Sequence, residues 1–131
     1  EIMNNNLKYM QIAIKEAKKA AKRGDVPVGA VSVYKNKIIA KAHNKKQLRK
    51  NSLKHAELLV INKACKKLKT WHLDECTIYV TLEPCSECSK NLIASGITRI
   101  VYEKAYEHTN SEIISKFIKD NNVQIEQIQN S

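Results

Sequence analysis

Two short stretches of the sequence hold residue types that can do chemistry together: His55-Ala56-Glu57 and Pro84-Cys85-Ser86-Glu87-Cys88. In the second, a spacing of three puts both cysteines on one face of a helix. A helix beginning there offers a positive dipole end and free N–H groups, which favour thiolates. Pro84 fits its first turn, where no N–H is needed. Two converging thiolates suit a zinc ion. A redox dithiol and a pair of packing cysteines are the rival readings, and no thioredoxin-like surroundings support the first of these. A structural zinc site would want a second Cys/His pair at similar spacing, and the sequence offers none. His55, at the start of the preceding helical stretch, is the best third ligand; His43, His72 and His108 have no comparable partner. Three protein ligands leave a fourth position for water, the arrangement of a catalytic zinc. Glu57, two residues past His55, is placed to carry that water's protons without occupying the metal. Alone, it would read as a first-turn carboxylate answering a helix dipole.

These residues need elements to bring them together. Residues 7–23 carry Leu7, Met10, Ile14, Ala17 and Ala21 at helical spacing, with lysines on the other face and Gly24-Asp25 as the stop. Residues 26–34 and 38–42 are β-rich and read as a hairpin turning at Asn36. Residues 43–54 are polar and read as a loop. Residues 55–68 return to helical spacing. Residues 77–82 form a short apolar strand that Pro84 ends, before a helix over 85–95 with Gly96 as its C-cap. A strand over 97–102, a helix over 112–119 and a strand over 123–128 follow. The order α-β-β-α-β-α-β-α-β implies an α/β fold in three layers, a five-stranded mixed sheet flanked by helices.

The 131 residues fit one domain spanning 1–131, long enough to bury a core without disulfides. No run approaches the roughly 20 apolar residues that span a bilayer. Residues 1–7 are polar, without the apolar heart of a signal peptide. A cytoplasmic location is therefore expected, and Cys65 and Cys76, in apolar surroundings, read as small buried hydrophobes. The net charge is +10, from 23 Lys and Arg against 13 Asp and Glu. Such an excess favours polyanions, nucleic acid first among them, although lysine-heavy composition also arises from an AT-rich coding sequence.

The pairing of His-x-Glu with Pro-Cys-x-x-Cys is the signature of the zinc nucleobase deaminases. The sequence resembles the cytidine/deoxycytidylate deaminase superfamily, and most of all its bacterial tRNA adenosine deaminase branch. Gly24-Asp25-Val26-Pro27-Val28-Gly29-Ala30-Val31, Asn44, the eleven-residue step to His55, and Tyr79-Val80-Thr81-Leu82-Glu83-Pro84-Cys85 all match that pattern. The resemblance covers about residues 7–102. It implies a cytidine-deaminase-like fold and a zinc ion on His55, Cys85 and Cys88. It also implies Glu57 as the group that shuttles protons from water to the base. Asn44 would hold the base, the Ala56 N–H and the Pro84-Cys85 turn would meet its edge, and Val28 and Leu82 would wall the pocket or simply pack. The implied reaction is adenosine to inosine at the wobble position of a tRNA anticodon arm, by a homodimer. Lysine-rich stretches at 45–54 and 63–69 could then track phosphates. After Tyr102 the sequence departs from that branch. Glu103-Lys104-Ala105-Tyr106-Glu107-His108 has neither the glycine nor the aspartate of its pattern, and residues 90–97 look closer to dCMP or free-base deaminases. A small substrate such as cytosine, cytidine or dCMP, or guanine is therefore the second expectation. A zinc-stabilised binding module without catalysis is the third.

Overall fold

In the computed structural model, which describes residues 2–46, 53–105 and 111–128, the elements run α1 (Ile2–Lys22), β1 (Gly29–Tyr34), β2 (Lys37–His43), β3 (Lys45–Lys46), β4 (Leu53–Lys54), α2 (Ala56–Leu68), β5 (Cys76–Leu82), α3 (Ser86–Ala94), β6 (Arg99–Lys104), α4 (Ser111–Asp120) and β7 (Gln124–Gln127). The five-stranded sheet has the order β2-β1-β5-β6-β7. β1 is antiparallel to both β2 and β5, whereas β5-β6 and β6-β7 are parallel. This is the mixed sheet expected, with α3 and α4 as the crossovers between parallel neighbours.

Strand periodicity divides the core into two. Ala30, Ile78, Val80 and Ile100 point to the face covered by α2, α3 and α4, where Val60, Leu92 and Ile118 are fully buried. Val31, Val33, Tyr79 and Val101 point the other way, onto Tyr9, Met10 and Ala13 of α1. Alternation along the strands thus yields the three layers. On the α1 side the approach is close at Gly29. A Cβ there would sit 2.0 Å from the Ala13 carbonyl oxygen and 2.5 Å from the Ala17 nitrogen. Small residues on α1 and glycine on β1 are thus one requirement met from both sides.

Several boundaries differ from expectation for local reasons. β1 begins at Gly29, not Val26, because the Val28 N–H donates to the Val26 carbonyl at 2.8 Å in a three-residue turn centred on Pro27. The hairpin turns where expected. Lys35 and Asn36 have φ of 50° and 63°, the two left-handed residues of a tight two-residue turn. The stretch 43–54, expected as loop, contains the two-residue ladder of β3 and β4, pairing Lys45 with Lys54 and Lys46 with Leu53. Residues 47–52, also within that expectation, lie outside the described residues. α1 starts at Ile2, earlier than Leu7, and Asn6 within it is buried, accepting the Tyr79 hydroxyl at 2.8 Å. Gly96, with φ of 85°, follows Ser95, the C-cap of α3, as the left-handed stop. Among the described residues no helix is long and apolar enough to cross a membrane.

Candidate metal and catalytic centre

Two helix N-termini meet at one end of the sheet. His55 is the N-cap of α2 and Cys85 the N-cap of α3, both with extended backbone, and neither side chain caps its own helix. Their side chains are therefore left for another partner. Cys88 lies one turn into α3, buried, and the Ser89 hydroxyl and N–H both donate to the Cys85 carbonyl, fixing that first turn. The ligand atoms of His55, Cys85 and Cys88 all lie within 4.8 Å of one another. Tetrahedral zinc with two sulfurs and one nitrogen would set them roughly 3.5–3.8 Å apart, so small side-chain adjustments suffice. An imidazole nitrogen and two thiols offer only lone pairs once deprotonated, and the two helix dipoles favour the thiolate forms. The donor set fits a soft divalent cation.

Glu57, on the first turn of α2, is 5% exposed. Burial pushes its carboxyl above the ordinary range, opposed by its own backbone N–H, by His55 and by Cys88. Burial also drives the Cys88 thiol upward, reinforced by Glu57 and Cys85. Glu57 and Cys88 thus touch, and a metal ion entering the group displaces a proton from it.

Asn44 is placed by its backbone and its side chain together. Its N–H donates to the Val28 carbonyl at 3.0 Å, and its Oδ1 accepts the Ala56 N–H at 2.7 Å. The Ala56 N–H, expected at the base edge, is engaged by Asn44 instead, and Ala56 itself is fully buried. Fixing Oδ1 on Ala56 leaves the Asn44 amide group as the end that can donate outward. Leu82 closes β5 and is half-buried, and Pro84 is fully buried just before Cys85. Val28 and Leu82 also border a cavity of about 310 Å³ on the α1 side, with Ile14, Ala17 and Ala21 among its other walls. The structure therefore gathers His55, Glu57, Cys85 and Cys88 into one group and sets Asn44 beside it at the start of α2. Val28 reaches that arrangement through its carbonyl.

The MafB19-like deaminase family model matches residues 4–131. This chain belongs to that deaminase family. As a member, it resembles the tRNA-specific adenosine deaminase of Bacillus subtilis (strain 168), at 51% identity over 94 residues, 72% of this chain and 58% of that protein. The chain thus aligns with less than two thirds of that relative's length. It resembles the tRNA-specific adenosine deaminase of Aquifex aeolicus (strain VF5) at 41% over 109 residues, 83% of this chain and 72% of that one. A solved structure from studies of A-to-I editing by tRNA:A34 deaminases at the wobble position superposes with a TM-score of 0.81. It is 29% identical and covers 92% of this chain and 91% of that chain. The three-layer fold read from the sequence is therefore that of the cytidine-deaminase-like proteins.

Within this deaminase frame, three supporting residues went unassigned from the sequence. The Gly29 N–H donates to the buried Thr81 hydroxyl at 3.1 Å, joining the start of β1 to the end of β5. Glu83, 1% exposed, receives the Ser111 hydroxyl at 2.8 Å on each carboxylate oxygen, and so ties the first residue of α4 to the turn before Cys85. An acid between Leu82 and Pro84 at the end of an apolar strand was the available signal, but its partner lies 28 positions away.

Proposed function

We propose that the chain hydrolyses the amino group of adenine in RNA, making inosine at the wobble position of a tRNA anticodon arm. The observation that carries this is the group of His55, Cys85 and Cys88 with buried Glu57 against Cys88, in a deaminase-family chain whose relatives bear that activity in their names. Zinc held by those three side chains supplies Lewis acidity, which makes water a competent nucleophile at neutral pH. Glu57 accepts a proton from the attacking water and delivers it to the ring nitrogen; it then takes the proton of the newly added hydroxyl and delivers it to the amino group as the carbon–nitrogen bond breaks, leaving the carbonyl. Water and adenine become hypoxanthine and ammonia. Asn44, its Oδ1 held by Ala56, donates its amide N–H to the base. Val28, Leu82 and Pro84 form apolar borders that limit water around it. The same reading carries three further expectations: one deaminase domain across residues 1–131, a homodimer, and a cytoplasmic location.

The test is a substrate panel on zinc-loaded protein: an anticodon stem-loop with adenosine at the wobble position, beside cytosine, dCMP and guanine. Inosine should form in the stem-loop, detected by nuclease digestion and mass spectrometry. Glu57→Ala should keep its zinc and lose roughly 10²–10⁴-fold in rate. Turnover of a small substrate without inosine would overturn the RNA reading, and full activity in Glu57→Ala would overturn the assignment of the proton.

A further inference from the structure

The chain's positive charge is not spread over its surface. Residues 35–69 contain 12 Lys and Arg and a single acid, Glu57, which is buried in the candidate site. The rest of the chain holds 11 basic and 12 acidic residues. The whole excess therefore belongs to one segment, which folds as β2, the β3-β4 ladder and α2. A lysine bias of coding composition would not deplete acids from about a quarter of the chain and balance them elsewhere.

The structure gathers part of that segment into one face. β2 is an edge of the sheet, and between it and α2 runs a shallow groove of about 590 Å³. Ile38, Ile39, Ala40, Lys41, Lys63, Lys66 and Lys67 line it. Its four lysines are exposed, and Lys63 is steadied by a 2.8 Å hydrogen bond to the Lys41 carbonyl. Among the described residues, every ion pair lies outside residues 35–69: Lys19 with Glu16, Arg23 with Asp25, His72 with Asp74, Arg99 with Glu126, Lys116 with Asp120. Among the described residues, no carboxylate pairs with the ammonium groups of the groove. α2 leads from this groove to the candidate site. At 1.5 Å per residue, Lys63 to Lys67 stand roughly 9–15 Å along the helix from Glu57. That is about three to four steps of a stacked strand at 3.4 Å each.

We propose that the β2-α2 face is a docking strip for the phosphate backbone of the RNA whose base enters the candidate site. This rests on the RNA reading above and adds to it the surface that holds the rest of the substrate. A polyanion is the occupant the charge selects. Two copies of this chain meeting face to face here would set lysine against lysine. The groove floor of Ile38 and Ala40 gives the strip no base-specific donors, so it positions the strand without reading its sequence.

The test measures binding apart from turnover. In a Glu57→Ala background, binding of a labelled anticodon stem-loop is followed by anisotropy across a salt series. One variant carries Lys41→Gln, Lys63→Gln, Lys66→Gln and Lys67→Gln. The control loses the same charge elsewhere, through Lys8→Gln, Lys15→Gln, Lys116→Gln and Lys119→Gln. The strip variant should bind roughly 10- to 100-fold more weakly at 0.1 M salt, with its log–log salt slope shallower by about three. The control should stay near the parent. With Glu57 restored, the strip variant should raise KM for the stem-loop and keep kcat. If the fourfold variant fails to fold, single substitutions should each reduce the slope by about one. Equal losses in strip variant and control would overturn the proposal, as would unchanged RNA affinity with strip-dependent binding to phosphatidylserine vesicles. Failure of the parent to make inosine, with strip-dependent RNA binding intact, would bring down the reaction and leave the docking face standing.

Discussion

The two ends of the five-stranded sheet use polar residues to opposite effect. At the end where β5 and β6 begin, the groups answer one another as donor and acceptor. Tyr79 donates to Asn6 at 2.8 Å, Arg99 reaches both of these and pairs with Glu126, and the Tyr9 hydroxyl donates to the Asn36 carbonyl at 2.9 Å. The cysteine there, Cys76, is pushed up to about 11 by burial first and Cys65 second, so it keeps its proton at neutral pH. At the other end, two thiols, an imidazole and a carboxylate converge, and no lysine or arginine is among them. All four are acceptors when deprotonated. A set of converged acceptors is stable only with protons or a cation among them. The difference teaches that burial and residue type do not mark the site. Lone pairs that face one another do.

The sharpest way to break that comparison is to exchange cysteines between the ends. Cys88→Ala should abolish zinc binding and activity together, because two ligands no longer hold the ion. Cys76→Ala should leave zinc stoichiometry and turnover intact and cost stability alone, about 1 kcal/mol for the lost packing. Metal analysis beside thermal unfolding reads both outcomes. Zinc retained in Cys88→Ala, or lost in Cys76→Ala, would mean the two ends had been assigned the wrong way round.

A smaller effect is expected at Asn44, where structure and proposed chemistry share one side chain. Asn44→Ala removes the acceptor at the start of α2 and should cost about 0.5–2 kcal/mol, the range of a lost helix cap. It should also lower kcat/KM tenfold or more, for one hydrogen bond of about 1.5 kcal/mol. Asn44→Asp separates the two roles. It keeps the oxygen that receives the Ala56 N–H and loses the amide donor. Stability should return and activity should not. Recovery of both would make Asn44 a cap and nothing more.

Each half of the candidate metal group was legible in the sequence because its spacing is local, and the resemblance to the deaminases joined the two halves across 30 positions. His55 to Glu57 and Cys85 to Cys88 each fall within one helical turn, and Pro84 marks the start of α3. The order of elements was legible too, since strand alternation and helical spacing are short-range patterns. What escaped was whatever depends on contacts between distant positions. Asn44 and Ala56 are 12 apart, Glu83 and Ser111 are 28 apart, and Gly29 and Thr81 are 52 apart. Gly29 was readable as part of a motif but not as the place where α1 touches β1. The start of β1 was misplaced by three residues because Val26-Pro27-Val28 has strand composition, yet Pro27 brings no N–H to a ladder and the chain turns there instead. The small β3-β4 ladder escaped because three of its four residues are lysines, which carry little strand signal; it closes beside Asn44, which is tethered to Ala56.

The smallest effect belongs to the paired end. Arg99 is one-fifth exposed at its side chain and Glu126 nearly half, at 20% and 46%. An ion pair so open to water is worth about 0–1 kcal/mol. Glu126→Gln should therefore lower the unfolding temperature only slightly, by an amount that shrinks as salt is added. Arg99 would still hold the Tyr79 hydroxyl and Asn6, so the α1 contact should persist. Zinc content and the rate on a stem-loop should be unchanged, since α1 and the whole length of the strands separate this pair from Glu57. A change in turnover without a change in stability would show that the two ends of the sheet are coupled. The contrast between a structural end and a chemical end would then have to give way to a single network running along β5 and β6.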